Sequence, residues 1–290
     1  MRKGCPVSRG LRRSPVWQVV GTWRGGLSLA VLLLIALAAV FAPWVAPYPY
    51  DIQNLSATNR APSIAHWLGT DEFGRDVLSR IIYGARTSLT VALTAICGSV
   101  TAGMCLGAAA GYFGGLFDRL VTAVVDLTWS FPEVLIALIF VAILGAGLYS
   151  TVIAISIAYL AQFARLTRAQ IMAIKGETYV EAAVNLGSGH GHILFRHLLP
   201  NAITPVIVAG MLATGDAIIL EATLGFFGLG VQPPKPSWGA MMSSGTAQIF
   251  LAPWTILGPG LAIAIAVVSI NLFGDALIEA MDIRNRIREV

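Results

Sequence analysis

Charge is what this chain has least of. Only 12% of its 290 residues are Asp, Glu, Lys or Arg, while 56% are hydrophobic and the mean hydropathy is +0.75. Soluble domains carry about twice that share of charge, so a water-exposed globule is excluded and the chain is read as a bilayer protein. Lysine is scarce: Lys3, Lys175 and Lys235 follow Arg2, Ile174 and Pro234, so no phosphate-cradling loop ending in Gly-Lys is present. A P-loop nucleotide site is therefore not expected in this chain. Cysteine is equally sparse, with Cys5 alone and Cys97 and Cys105 inside one apolar stretch, which excludes a disulfide framework. His190 and His192 flank a glycine and His197 follows, with no Cys or carboxylate at ligand spacing, so no metal site is expected. No nucleophile and base pair or cofactor box is present either, and neither enzymatic chemistry nor a cofactor is expected.

The net charge of +4 would suit nucleic acid, but the excess gathers in the first two dozen residues and in the loops. That is a topology signal, and no nucleic-acid partner is expected. Six runs approach the roughly 20 apolar residues that cross a bilayer: Leu27 to Val45, Leu89 to Ala110, Leu120 to Leu144, Leu148 to Ala164, Ile203 to Leu224 and Ile256 to Ile278. The expected fold is all-α, a polytopic membrane helical bundle of six transmembrane helices surrounded by lipid. A basic start before an apolar run also fits a cleaved signal peptide, which stays open for the first span. With the N-terminus inside, 14 of the 19 basic residues fall on the cytoplasmic side. This asymmetry puts both termini in the cytoplasm.

The chain divides into a cytoplasmic segment, 1–26, and one membrane domain, 27–290. The domain has an external loop at 46–87, a cytoplasmic loop at 165–201 and an external Pro-rich loop at 225–255. In the first external loop Phe73, Val77, Leu78, Ile81 and Ile82 share a helical face opposite Arg75, Asp76, Ser79 and Arg80, which predicts a helix lying in the interface. Ala95, Ser99, Gly103, Gly107 and Gly111 repeat small residues every four positions. Such a stripe lets a second helix approach closely. The prolines of the segment from Gln232 to Trp238 form either a rigid ledge for a binding protein or a spacer.

The cytoplasmic loop is the most patterned segment. Thr178 with Glu181 three residues later predicts a capping box. Ala182 and Ala183 keep that helix slim, Leu186 gives it an apolar contact, and Gly187 stops it by taking positive φ. A second short helix through Leu194, Phe195 and Leu198 is expected to end at Pro200, which opens the next span.

Glu181-Ala182-Ala183, three further residues, Gly187 and then Leu199-Pro200 resemble the EAA loop of permeases in binding-protein-dependent ABC importers. The match departs at His197, where the family usually has an aliphatic residue. His66-Trp67-Leu68-Gly69-Thr70-Asp71, Gly74-Arg75-Asp76, Glu221-Ala222, Gly228-Leu229-Gly230 and Pro233 through Gly239 are similar to the C-type permease of the dipeptide and oligopeptide branch. The resemblance covers about residues 25 to 285. It implies location in the bacterial inner membrane and four kinds of contact: a homologous second permease, ATP-binding subunits, an extracytoplasmic substrate-binding protein and membrane lipid. It also implies that the 178–200 loop docks on the ATP-binding subunit.

Carboxylates inside apolar spans are costly and by default face a cavity, a partner or a pathway. Asp126 and Glu133, seven residues apart, are expected to share a face of the third span, and Asp216 lies in the fifth. The three are candidates for a translocation pathway, against a packing role favoured by the break at Pro132. Glu221 and Asp275, near helix ends, are read as structural. A proton-coupled secondary transporter using Asp126, Glu133 and Asp216 as a relay is the rival function, and a membrane scaffold a second. The EAA-like loop argues against both.

Overall fold

A computed structural model describes Val19 and residues 21–288, with side chains as far as residue 280. Arg2, Lys3, Cys5, Arg9, Arg12, Arg13 and all of the 1–26 segment before Val19 lie outside the described residues, as do the side chains of Arg284, Arg286 and Arg288. The described residues fold as helices, and their one bridge, Thr70 to Asp76, is isolated.

The chain enters through α1 (Trp23–Val40), capped by Thr22, whose hydroxyl accepts the Gly25 N–H at 3.2 Å. A short α2 (Ala42–Val45) and an irregular segment holding a 3₁₀ turn, Leu55–Ala57, lead to α3 (Val77–Phe113). Next come α4 (Gly115–Trp129), α5 (Glu133–Leu144) and α6 (Leu148–Lys175). The loop helices α7 (Thr178–Asn185) and α8 (His190–His192) follow, then a π turn, Ile193–Leu198, and α9 (Leu199–Phe226). A short α10 (Trp238–Thr246) precedes the last helix, α11 (Trp254–Arg288). Five stretches are long and apolar enough to cross a bilayer, and the count reaches six when α4 and α5 are taken as one broken span.

The small-residue stripe does what its spacing implies. A Cβ added at Gly107 would stand 2.2 Å from the Ala164 carbonyl oxygen, and one at Gly103 would stand 2.6 Å from the Phe163 Cβ. No side chain fits there, so α3 and α6 meet backbone to backbone. Ser99 donates to the Ser156 carbonyl at 2.8 Å and Ser156 to that of Ala95 at 3.1 Å, which ties the pair across the contact. The main core grows from this seam, with Ile96 and Ala95 of α3, Val141 of α5, Phe163 of α6, Ile218 of α9 and Ala266 of α11.

Several expectations need correction. No separate interfacial helix forms: α3 begins at Val77, capped by Asp76, whose carboxylate accepts the Ser79 N–H at 2.8 Å, and continues through the second span. The polar face expected to meet water is buried, with Asp76, Ser79 and Arg80 at most 7% exposed. Its charges are satisfied within the chain. Arg75 pairs with Asp71 at 2.7 Å, Arg80 lies 3.4 Å from the same carboxylate, and His66 meets Asp76 at 2.9 Å.

The third span is not straight. Between α4 and α5 the chain turns by 97° at residues 130–132, where Pro132 cannot continue a helical ladder. The helix of the fourth span, α6, extends to Lys175, eleven residues past the expected end. Pro200 does not separate two helices either, because helical structure continues from His190 to Phe226. The π turn ends at Leu198, two residues before Pro200. Proline lacks an N–H and its ring crowds the carbonyl four residues back, here that of Arg196, and a wider turn accommodates both.

The two segments expected to be external form one cap. Trp254 donates its indole N–H to the Thr70 carbonyl at 3.0 Å, and Trp238, 1% exposed, donates to that of Ile81 at 3.0 Å. Asn59 reaches Gln248 at 3.3 Å.

Candidate functional site

At the end of the bundle opposite the cap, α7 rests on α3, α6 and the π turn through Val180, which packs in a small core with Ala108, Ile171 and Leu198. Ala183, 8% exposed, also faces inward. The helix begins one residue earlier than expected: Glu177 is the N-cap, Thr178 is already helical, and no side chain caps the end. The capping box between Thr178 and Glu181 is therefore absent, and both side chains are exposed.

The stop at Gly187 is as expected. Its φ is +79°, and the Ser188 N–H bonds the Ala183 carbonyl at 3.1 Å while that of Gly187 bonds Val184 at 2.9 Å. These two bonds are a Schellman motif. Leu186 makes no internal apolar contact, being 86% exposed. With Tyr179, Val184 and Phe195, also exposed, it leaves an apolar surface on a polar loop with no cover among the described residues. Ala182 is exposed on the same helix, and so is Pro200 at the start of α9.

The loop is braced from behind. His190 Nδ1 and the Tyr112 hydroxyl lie 2.8 Å apart, and Lys175 donates to the Tyr112 carbonyl at 2.6 Å, at the C-terminus of α3, where a helix favours a cation. A cleft of about 520 Å³ lies among Tyr112, Lys175, Glu181 and His190. His192 and His197 face each other with ring centres 5.3 Å apart.

In the membrane the three candidate carboxylates part company. Because of the bend, Asp126 and Glu133 do not share a helical face. Asp126 stands near Arg168, whose guanidinium grips Asp118 of α4 with two hydrogen bonds, one of 2.7 Å from Nη2 to Oδ2. Arg165 lies over the Trp129 ring at 4.7 Å. Glu133, in the first turn of α5, stands instead beside Tyr159 of α6, and the Asp216 carboxylate of α9 is near enough for its charge to act on Glu133. Both carboxylates are exposed on the surface of the chain, while Tyr159 is only 2% exposed. Tyr159 escaped notice in the sequence, although with Tyr149 it is one of two tyrosines within its apolar run.

Glu221 is 0% exposed, and neither carboxyl oxygen has a partner at hydrogen-bond distance, though the Ser88 and Ser237 hydroxyls lie nearby. Asp275 lines a cleft between α1 and α11 together with Arg24 and Glu279.

Comparison with known proteins agrees with this architecture. Residues 103–287 match the model of the binding-protein-dependent transport system inner membrane component, and residues 26–62 match the N-terminal TM domain of oligopeptide transport permease C. The chain is 42% identical over 256 residues to the dipeptide transport system permease protein DppC of Alkalihalophilus pseudofirmus, covering 88% of this chain and 84% of that one. It is 40% identical to the glutathione transport system permease protein GsiD of Pectobacterium atrosepticum, with the same coverage. A chain of the MetNI methionine ABC transporter, solved in inward-facing conformations, shares the fold at 18% identity and a TM-score of 0.57, over 69% of this chain and 95% of its own. The chain thus belongs to the family of inner-membrane components of binding-protein-dependent transport systems, as a multi-pass permease of the bacterial inner membrane.

Proposed function

We propose that this permease forms one half of the translocation pathway of an ATP-driven importer for dipeptides or related small peptides, and that the segment from Thr178 to Pro200 couples it to separate ATP-binding subunits. One observation carries the coupling: α7 ends in a fixed Schellman stop and turns Tyr179, Val184, Leu186 and Phe195 outward. An apolar patch of that kind on a polar loop marks a docking face. Glu181, Ala182, Ala183 and Gly187 belong to this face or hold it. The lysine and arginine asymmetry places the loop in the cytoplasm with both termini, and the cap built from 46–76 and 227–254 then faces the extracytoplasmic substrate-binding protein. The exposed side of Glu133 and Asp216 faces the pathway and the second permease, with lipid around the rest. Peptide cargo is supported by the relatives, whose names are dipeptide and glutathione permeases.

A proton relay through Asp126, Glu133 and Asp216 has no support in the geometry, because Asp126 keeps company with Arg168 and not with the other two. The coupling is tested with Leu186→Asp in the assembled complex. The exposed site accepts the charge without loss of folding, and the ATP-binding subunit is expected to co-purify at a fraction of its normal yield. Full retention with undiminished cargo-stimulated hydrolysis would move the docking face elsewhere.

A further inference from the structure

The break in the third span brings together groups that an apolar bundle would otherwise keep apart. At about 1.5 Å per helical residue, Glu133 lies about 16 Å from the end of α5 at Leu144, and Tyr159 about 16 Å from the start of α6 at Leu148. Asp216 lies about 15 Å from the end of α9 at Phe226 by the same measure. The three thus lie at like distances along their helices, each about half of a hydrocarbon core roughly 30 Å thick.

None of the ion pairs among the described residues involves Glu133 or Asp216. Tyr159, almost wholly buried, packs in one core with Ala137, a turn beyond Glu133, and Ala217, next to Asp216, and its hydroxyl lies by the Glu133 carboxylate. Two carboxylates without a cation, beside a phenol, are costly in a membrane unless a positive group joins them. A broken span at the midplane is also where transporters place binding groups, because irregular backbone is tolerated there only against a cavity or another protein.

We propose that Glu133, Asp216 and the Tyr159 hydroxyl form a subsite for the ammonium group of the peptide cargo. The inference rests on the peptide-importer reading above and adds to it a chemical preference along the pathway. An ammonium has three N–H donors and no acceptor, which matches two carboxylates and a phenolic oxygen. A lysine or arginine of the second permease would satisfy the same groups, and the experiment separates the two.

The assembled complex, with its second permease, ATP-binding subunits and binding protein, is reconstituted in vesicles and given alanylalanine or propionylalanine. The second replaces the ammonium by hydrogen and changes little else. Cargo is first titrated against the binding protein, so that uptake is compared at equal occupancy. Wild type is expected to carry the amine at least about tenfold faster, the scale of one charge-assisted hydrogen bond. Glu133→Gln and Asp216→Asn are expected to bring that ratio close to one, and Tyr159→Phe, which keeps the packing, to lower it part of the way. A wild-type ratio near one, or a ratio that the substitutions leave intact, overturns the subsite. Loss of the second permease on purification of Glu133→Gln or Asp216→Asn also overturns it, by assigning the carboxylates to a cation of that subunit. If wild type carries neither compound, the peptide reading falls and the subsite with it.

Discussion

Replacing Gly187 probes the coupling segment at the point where its conformation is least negotiable. The residue stands at φ +79°, and a Cβ there would meet nothing within 4 Å. Any effect of a side chain is therefore conformational and not a clash. An L-residue in this region costs about 1–2 kcal/mol, and a β-branched one more. The two Schellman bonds depend on the turn, and each contributes about 1 kcal/mol. Eight residues are too few to hold α7 helical without such a stop and its packing. Gly187→Ala is then expected to cost about 1 kcal/mol of local stability, and Gly187→Val about 3 kcal/mol, enough to leave α7 open for a substantial part of the time. Gly187→Asn is the control, since asparagine tolerates positive φ. The assay measures hydrogen exchange of the α7 amides, retention of the ATP-binding subunit and cargo-stimulated ATP hydrolysis. The order Gly, Asn, Ala, Val is expected in all three. If valine behaved like asparagine, the positive φ would not control docking.

Glu181→Ala should lower the stability of α7 by no more than about 0.5 kcal/mol, because the carboxylate caps nothing; a loss of coupled hydrolysis without loss of helix would then report contact with the ATPase. Gly107→Val places carbon where α6 backbone now lies, and a loss of about 3 kcal/mol or more is expected as a lower melting temperature in detergent. Unchanged melting would mean that α3 and α6 are not in backbone contact. Cysteines placed at Ser56 and Ser188 test orientation: an impermeant reagent applied to intact cells should label only the first, and labelling of the second would invert the topology.

The helical bundle was legible in the sequence because apolar length and small-residue spacing are local signals. The run from Ala95 to Gly111 announced its close contact directly. The stop at Gly187 was legible for the same reason, as a turn of this kind needs glycine. What failed depended on distant partners. Arg75, Asp76 and Arg80 look like a wet helical face until Asp71, Tyr50 and His66 are seen to enclose them. The capping box failed by one residue, within the ordinary uncertainty of helix ends, and that shift was enough to remove its hydrogen bonds. Asp126 and Glu133 obey helical spacing only if the helix is continuous, and Pro132 ends it. The nearness of Asp216 to Glu133 joins positions 83 apart, which periodicity cannot reveal.

The tryptophan bonds of the cap bear on how a passage opens. Trp254 opens α11 yet is held to residue 70, and Trp238 opens α10 yet is held to residue 81 near the beginning of α3. Those helices are thereby fastened to the entry of α3 and to the segment before it. A movement of α10 or α11 there must either carry residues 70 and 81 along or break these two bonds.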